Sequence, residues 1–298
     1  GGVHTDEDMR KLADSTRSHD FESRNALMVA AERGNRPYGF LPGKPNRVAD
    51  QVLSSLAESQ LTPKLKQEIA SGHQALLTSL EAIKDVGYTV TIYGSARIGP
   101  ERLEYQRTRY LAGMLAKEEM AVMTGGGVSI EKRRGIMDAG NRGAFEAGGE
   151  SIGVSIALPF EAAANPFQTI KLIHQDYFTR KQVLRKANAY VVEEGGLGTV
   201  DEAMELLCHI QTKKQDAAPV YFVGSQTYGP LVKALDHLVA RGLMCPADMK
   251  LFKVVNDPRQ IVQELVKHRA GLEFGAGIPK KAGFTSVPAD VPVLRANR

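Results

Sequence analysis

The sequence predicts an α/β fold, a Rossmann-like doubly wound parallel sheet with an N-terminal helical extension. Three observations predict it. Between about residues 86 and 272, short β-branched runs alternate with longer amphipathic ones. The short runs carry apolar residues on both faces, as strands of a parallel sheet covered on both sides do. Glycine clusters follow the first, second and fourth runs, the strand ends beyond which such sheets bind ligands.

Taken in order, the strands are expected at Tyr88–Tyr93, Met120–Met123, Ser151–Ile156, Ala189–Val192, Pro219–Val223 and Phe252–Val255. Helices are expected between and after them, near 102–117, 136–147, 178–187, 199–213, 229–241 and 258–269. Residues 1–85 are polar and lack strand-like runs. Their Pro- and Gly-rich stretch Pro37–Pro45 reads as an ordered loop. Val48–Leu56 and Leu65–Ile83 carry apolar residues at three- and four-residue spacing, which predicts two amphipathic helices. Residues 273–298 have little periodicity and read as an extended tail. The expected organisation is a helical extension (1–85), a nucleotide-binding domain (86–272) and a C-terminal tail (273–298).

Composition narrows the partners. Of 298 residues, 38 are basic and 34 acidic, a net charge of +4 with no dense basic arm. With no tryptophan and 6% aromatics, no base-stacking surface is advertised, so no nucleic-acid partner is expected. A small anion suits the mild positive excess equally well. No apolar run reaches the roughly 20 residues that span a bilayer, so no membrane partner is expected. The first residues, Gly1 to Glu7, lack the pattern of a secretory signal. A cytoplasmic protein is expected, with Cys208 and Cys245 as buried, reduced thiols. No His, Cys, Asp or Glu cluster has metal spacing, so no metal and no cofactor are expected.

The glycine clusters are Gly94-Ser95, Gly125-Gly126-Gly127 and Gly195-Gly196-Leu197-Gly198-Thr199. Any one could be a tight turn and nothing more; three at strand ends of one sheet point to a ligand. The third leads from strand to helix. There glycine permits positive φ and close approach, the helix N-terminus supplies free N–H groups and a positive dipole end, and Thr199 adds a hydroxyl. It is neither a Walker A loop nor a G-x-G-x-x-G fingerprint. Thr199-Val200-Asp201-Glu202 also fits a capping box, with Thr199 as N-cap, which would make Thr199 and Glu202 structural.

The stretch from Tyr93 to Gly224 resembles the LOG ("Lonely guy") family, cytokinin-activating phosphoribohydrolases often mislabelled lysine decarboxylases. The resemblance rests on Tyr93-Gly94-Ser95-Ala96-Arg97, on Gly125-Gly126-Gly127 with the following Gly135-Ile136-Met137-Asp138-Ala139-Gly140-Asn141-Arg142-Gly143-Ala144, and on Arg180-Lys181 opening a helix. The family hallmark P-G-G-x-G-T-x-x-E survives as Gly195 to Glu202. Two departures stand out. Glu194, preceded by Glu193, replaces the hallmark proline, and Val128–Arg134 is inserted after the triple glycine. An acidic pair beside a phosphate site opposes it unless its side chains point away or nearby cations offset them.

The resemblance implies hydrolysis of the N-glycosidic bond of a nucleoside 5′-monophosphate by a dimer or larger homo-oligomer. It assigns catalysis to Arg180 and Glu202. Substrate or phosphate binding falls to Gly94, Ser95, Gly125, Gly126, Gly127, Lys181, Gly195, Gly196, Gly198 and Thr199. A carboxylate near C1′ stabilises oxocarbenium character and orients water; a guanidinium holds phosphate or ribose oxygens and stays charged. Against this, Arg180, Lys181, Arg185 and Lys186 could be a solvated helix face, Arg133 and Arg134 exposed loop charges, and Asp138 and Asn141 partners within their own helix. His174 reads as structural. A non-catalytic nucleotide or molybdenum-cofactor carrier on the same fold is the alternative that the resemblance implies. Decarboxylation would need a lysine in a pyridoxal phosphate context, and none is visible.

Overall fold

The computed structural model describes residues 54–55, 57–127, 134–157 and 164–275. Most of the helix read at 48–56, the Pro37–Pro45 loop, most of the 128–134 insert and residues 276–298 of the tail lie outside the described residues; 273–275, read as tail, end the last helix. Along the described chain, α1 (Pro63–Ile83) precedes β1 (Thr89–Tyr93), α2 (Leu103–Lys117), β2 (Ala121–Thr124), α3 (Ile136–Glu146) and β3 (Ser151–Ile156). Then come β4 (Ile170–His174), α4 (Tyr177–Leu184), β5 (Ala189–Val192), α5 (Leu197–Gln211), β6 (Val220–Val223), α6 (Ser225–Ala240), β7 (Lys253–Val255) and α7 (Pro258–Gly275).

The strands form one parallel sheet in the order β4-β3-β2-β1-β5-β6-β7. The chain runs outward from β1 to β4, returns to set β5 against the other side of β1, and continues to β7. The switch point is therefore between β1 and β5, where a doubly wound sheet opens a crevice at its carboxyl edge. Side-chain alternation feeds two cores. Val90, Ile92, Val122, Val191 and Val223 pack with Leu111, Leu115, Ile136, Ile261 and Leu265 beneath α2, α3 and α7. Tyr93, Met123, Tyr190, Val192 and Phe222 pack on the opposite face with Leu184, Leu206 and Ile210 from α4 and α5. The central strands carry apolar residues on both faces because both faces are covered.

Three sequence expectations need correction. β4 was not foreseen. It is an edge strand whose polar Lys171 and outward Ile173 break the apolar run expected of buried parallel strands. The helix expected from residue 229 starts at Ser225, because Pro230 is accommodated inside it. Cys208 and Cys245 are free thiols as expected, but both are exposed rather than buried. Among the described residues no helix is long and apolar enough to cross a membrane.

α1 begins cleanly. Thr62 accepts from Leu65 N–H and Pro63 occupies the first turn, where a missing N–H costs nothing. It lies along β4 and α4. Ser79 on α1 is buried and sits 3.0 Å from His174 Nε2, while His174 Nδ1 lies 3.1 Å from Thr179 Oγ1. Burial lowers the His174 pKa from its ordinary 6.5.

Candidate functional site

Three loops and two helices meet at the carboxyl edge around the switch point. The Ser95 N–H donates to Glu194 O at 3.0 Å, tying the β1 turn to the β5 turn, and Ser95 O accepts from Ile136 N at 2.8 Å, tying it to the start of α3. Gly94 has no room for a side chain, since a Cβ would run into Ile136. The Ser95 hydroxyl accepts from the Arg97 N–H, which leaves its own proton to donate outward.

In the second turn Gly126 has φ +68°, the left-handed conformation that favours glycine. A side chain on Gly125 would strike the Arg180 guanidinium and Met137. The triple glycine is therefore where Arg180 leans.

The third turn works differently from the expectation. Gly195, Gly196 and Gly198 do not have positive φ, so backbone conformation is not the reason for glycine there. Gly195 is needed because Thr199 packs against it. Gly196 and Gly198 have open space where a Cβ would stand, so nothing within the described protein calls for glycine at either. The N-cap of α5 is Gly196, with extended backbone and no capping side chain. The first N–H groups of a helix have no intrahelical acceptor. The capping box is thereby overturned. Thr199 is buried inside the first turn, and Glu202 lies a further turn along with its carboxylate turned to α4.

Arg180 on α4 and Glu202 on α5 form the charged centre. Arg180 Nε donates to Val154 O at 2.8 Å at the end of β3, and Nη1 donates to Glu202 Oε1 at 2.8 Å. Their side chains are only 9% and 14% exposed. Burial pushes the Glu202 carboxyl above the ordinary glutamate value of 4.5, with Arg180 pulling the other way. A largely buried carboxylate that keeps a small opening and faces a fixed guanidinium can stabilise positive charge on a bound ring and hold a water. The solvated-face reading fails for Arg180 and Arg185, both buried; Arg185 pairs with Glu205. Lys181, expected at the phosphate, instead meets Asp201 at 3.0 Å and also Glu205, lacing α4 to α5.

The acidic pair before the glycines is accounted for. Glu193 is fully buried and takes a hydrogen bond from Arg107 Nη2 on α2 at 2.5 Å. Its main-chain oxygen accepts from Tyr228 OH at 2.6 Å. Glu194 keeps 25% of its side-chain exposure and lies 3.9 Å from the same guanidinium. Burial raises the Glu193 pKa from 4.5, and the nearby Arg107 opposes that rise. Arg107 was not foreseen, since nothing local links it to a carboxylate 86 positions later. Asn141 was expected to pair within its helix. It is instead fully buried and binds Thr124 at 2.6 Å, Asn165 at 2.8 Å and Ser151 at 2.9 Å. Asp138 is buried and accepts from Tyr105 OH on α2. Arg134 is exposed, its guanidinium 5.9 Å from the Phe167 ring, and Arg133 lies outside the described residues. Among the described residues no group of three His, Cys, Asp or Glu side chains could hold a metal ion.

The family model described as "possible lysine decarboxylase" matches residues 137–265. The chain is 23% identical over 173 residues to the cytokinin riboside 5′-monophosphate phosphoribohydrolase of Rhodococcoides fascians, covering 57% of this chain and 84% of that protein. It is 20% identical over 192 residues to the enzyme of the same name, LOG5, from Arabidopsis thaliana, covering 64% and 82%. Among solved structures it is similar to the molybdenum cofactor carrier protein of Chlamydomonas reinhardtii, with 21% identity, 62% and 98% coverage, and a TM-score of 0.46. The match to this family model over residues 137–265 and the likeness to these phosphoribohydrolases agree with the resemblance read from the sequence.

Proposed function

We propose that this protein hydrolyses the N-glycosidic bond of a nucleoside 5′-monophosphate, AMP or a cytokinin riboside monophosphate, to free base and ribose 5-phosphate. The observation that carries this reading is the pairing of Glu202, a largely buried carboxylate with a small opening, with Arg180 beside glycines whose open space the protein itself does not use. In this reading Gly195, Gly196, Gly198 and Thr199 hold the phosphate at the α5 N-terminus. Gly94, Ser95 and Gly125–Gly127 line the nucleoside. Water adds at C1′ as the C–N bond breaks. Glu202 stabilises the ring charge and takes the water proton, while the departing base gains a proton from solvent. The phosphate anchor places C1′ over the carboxylate, so remote binding energy serves the reacting bond. With Glu193 held by Arg107, the acidic pair leaves the phosphate turn with at most one free carboxylate, Glu194.

The test is direct. The protein is incubated with AMP, other nucleoside monophosphates and isopentenyladenosine monophosphate, and free base is measured, with Glu202→Ala as control. Base release that falls about a hundredfold in the variant supports the reading. Tight nucleotide binding without release from any substrate would favour a carrier. Full activity in Glu202→Ala would remove Glu202 from the chemistry.

The same reading takes 86–272 as the catalytic domain, 1–85 as a helical extension and 273–298 as a tail, in a cytoplasmic homodimer or larger homo-oligomer. Exposed Tyr177 and Phe178 at the start of α4, and Leu197 at the start of α5, support self-association. Light scattering of the intact chain tests it; a monomer at micromolar concentration would refute it.

A further inference from the structure

The triple-glycine turn is held from within by side chains that resemblance to the family does not explain. The carbonyl oxygen of Gly126 accepts three hydrogen bonds, from Asn165 N at 2.9 Å, Asn165 Nδ2 at 3.0 Å and Gln168 Nε2 at 2.7 Å. Its N–H donates to Thr124 Oγ1 at 3.0 Å. The Thr124 hydroxyl in turn donates to Asn141 Oδ1, and that oxygen also accepts from Asn165 Nδ2. Asn141 Nδ2 closes the set on Ser151 Oγ and Ile152 O. Thr124, Asn141, Asn165 and Gln168 are each 3% exposed or less.

A turn of three glycines is the segment of this fold with the most backbone freedom to lose, roughly 1–2 kcal/mol per residue fixed. Burying four polar side chains to hold one peptide group is costly unless each is satisfied. One atom is not: Gln168 Oε1 has no hydrogen-bond partner. The network is thus not the cheapest way to fill the space between β2, α3 and β3. Its geometric output is the place of Gly126. The neighbouring Gly125 is the surface on which the Arg180 guanidinium rests.

We infer that Asn141, Asn165 and Gln168 are positioning residues. They fix the Gly125–Gly127 turn in its left-handed form before any ligand arrives, and so aim Arg180 at Glu202. They touch neither the phosphate turn nor Glu202, and act through the backbone. The kinetic part of this inference rests on the proposed phosphoribohydrolase reading; the part concerning the turn does not.

The test uses the intact chain carrying Gln168→Met, which removes the donor at similar length, and Asn165→Asp, which keeps the shape and the main-chain bond. Ser79→Ala is the control, a buried polar deletion at the α1 junction. Two quantities are read. Hydrogen exchange in the peptide spanning Val122–Gly127 should quicken about tenfold or more in both variants and not in the control. On the nucleotide that wild type cleaves, kcat should fall about tenfold or more, a larger factor than any rise in KM, since the phosphate turn is untouched while the nucleoside-lining turn loosens. Variants that lose thermal stability as the control does, yet keep wild-type exchange at the turn, overturn the inference. Faster exchange with an unchanged kcat overturns the link to Arg180. If wild type releases no base, the proposed function fails, while the exchange measurement still decides whether the network holds the turn.

Discussion

Two arginine–glutamate pairs stand on opposite faces of the sheet at its carboxyl edge. Arg107–Glu193 lies on the α2 face, where the carboxylate has no exposed surface. Arg180–Glu202 lies on the α4 and α5 face, where both partners keep a small opening. The charges and the contact are alike. Burial pushes both carboxyls upward against a neighbouring guanidinium. What differs is access. A carboxylate with no exposed surface can only hold chain segments together, here α2 to the end of β5, whereas one that keeps an opening can exchange part of its contact for a ligand.

The largest expected effect would break the sealed pair. Arg107→Ala leaves a buried carboxylate uncompensated and should cost about 3–5 kcal/mol of stability, read as a shift in the urea midpoint. Replacing both partners with leucine should recover most of it. A midpoint unmoved by Arg107→Ala would mean that the pair does not hold the edge. The next effect sets the pairs against each other. Glu202→Gln should lower kcat about a hundredfold, about 2.7 kcal/mol at the transition state, with a smaller loss of melting temperature than Glu193→Gln. Equal losses of stability and activity in both variants would erase the distinction.

How much of this was legible in the chain depended on range. Six strands announced themselves because runs such as Tyr190-Val191-Val192 are apolar on both faces. β4 hid because an edge strand with Lys171 carries a weaker pattern. The glycine turns at the strand ends were readable because each motif is local, whereas Arg180 and Glu202 were singled out only through the family resemblance. The capping box that Thr199 to Glu202 also fits is not formed, because the helix is capped at Gly196 and Thr199 lies inside its first turn, which local spacing cannot show. Arg107 with Glu193, and Asn141 with Asn165, were beyond reach, because each pair exists only after the sheet has brought distant segments together.

A smaller effect is in the pH profile. With its pKa raised, Glu202 keeps its proton to higher pH than an ordinary glutamate, so kcat should rise with pH through an inflection above 4.5. That limb should vanish in Glu202→Gln. An inflection at or below 4.5 would show that the opening admits enough water to cancel the burial. The smallest effect concerns a buried group outside both pairs. His174 has a pKa lowered below 6.5, so the stability gained from its neutral form is present above pH 6.5 and lost as pH falls through the folded value. Between pH 7.5 and 5, wild type should lose more melting temperature than His174→Gln. An equal loss would free the α1 junction from this titration.

The strand order has a consequence for how the protein comes to work. Each strand pairs with a sequence neighbour except at one seam, where Val90 meets Ala189. That seam joins segments roughly a hundred residues apart, so its loop-closure entropy is the largest in the sheet and long-range pairing of this kind is slow. The first half of the chain can assemble its strands without it, and so can the second. The glycine turns of one half and the carboxylate of the other become a single site only when the seam closes. Competence to act therefore arrives late in folding, and a chain stalled with two good half-sheets would be compact and inert.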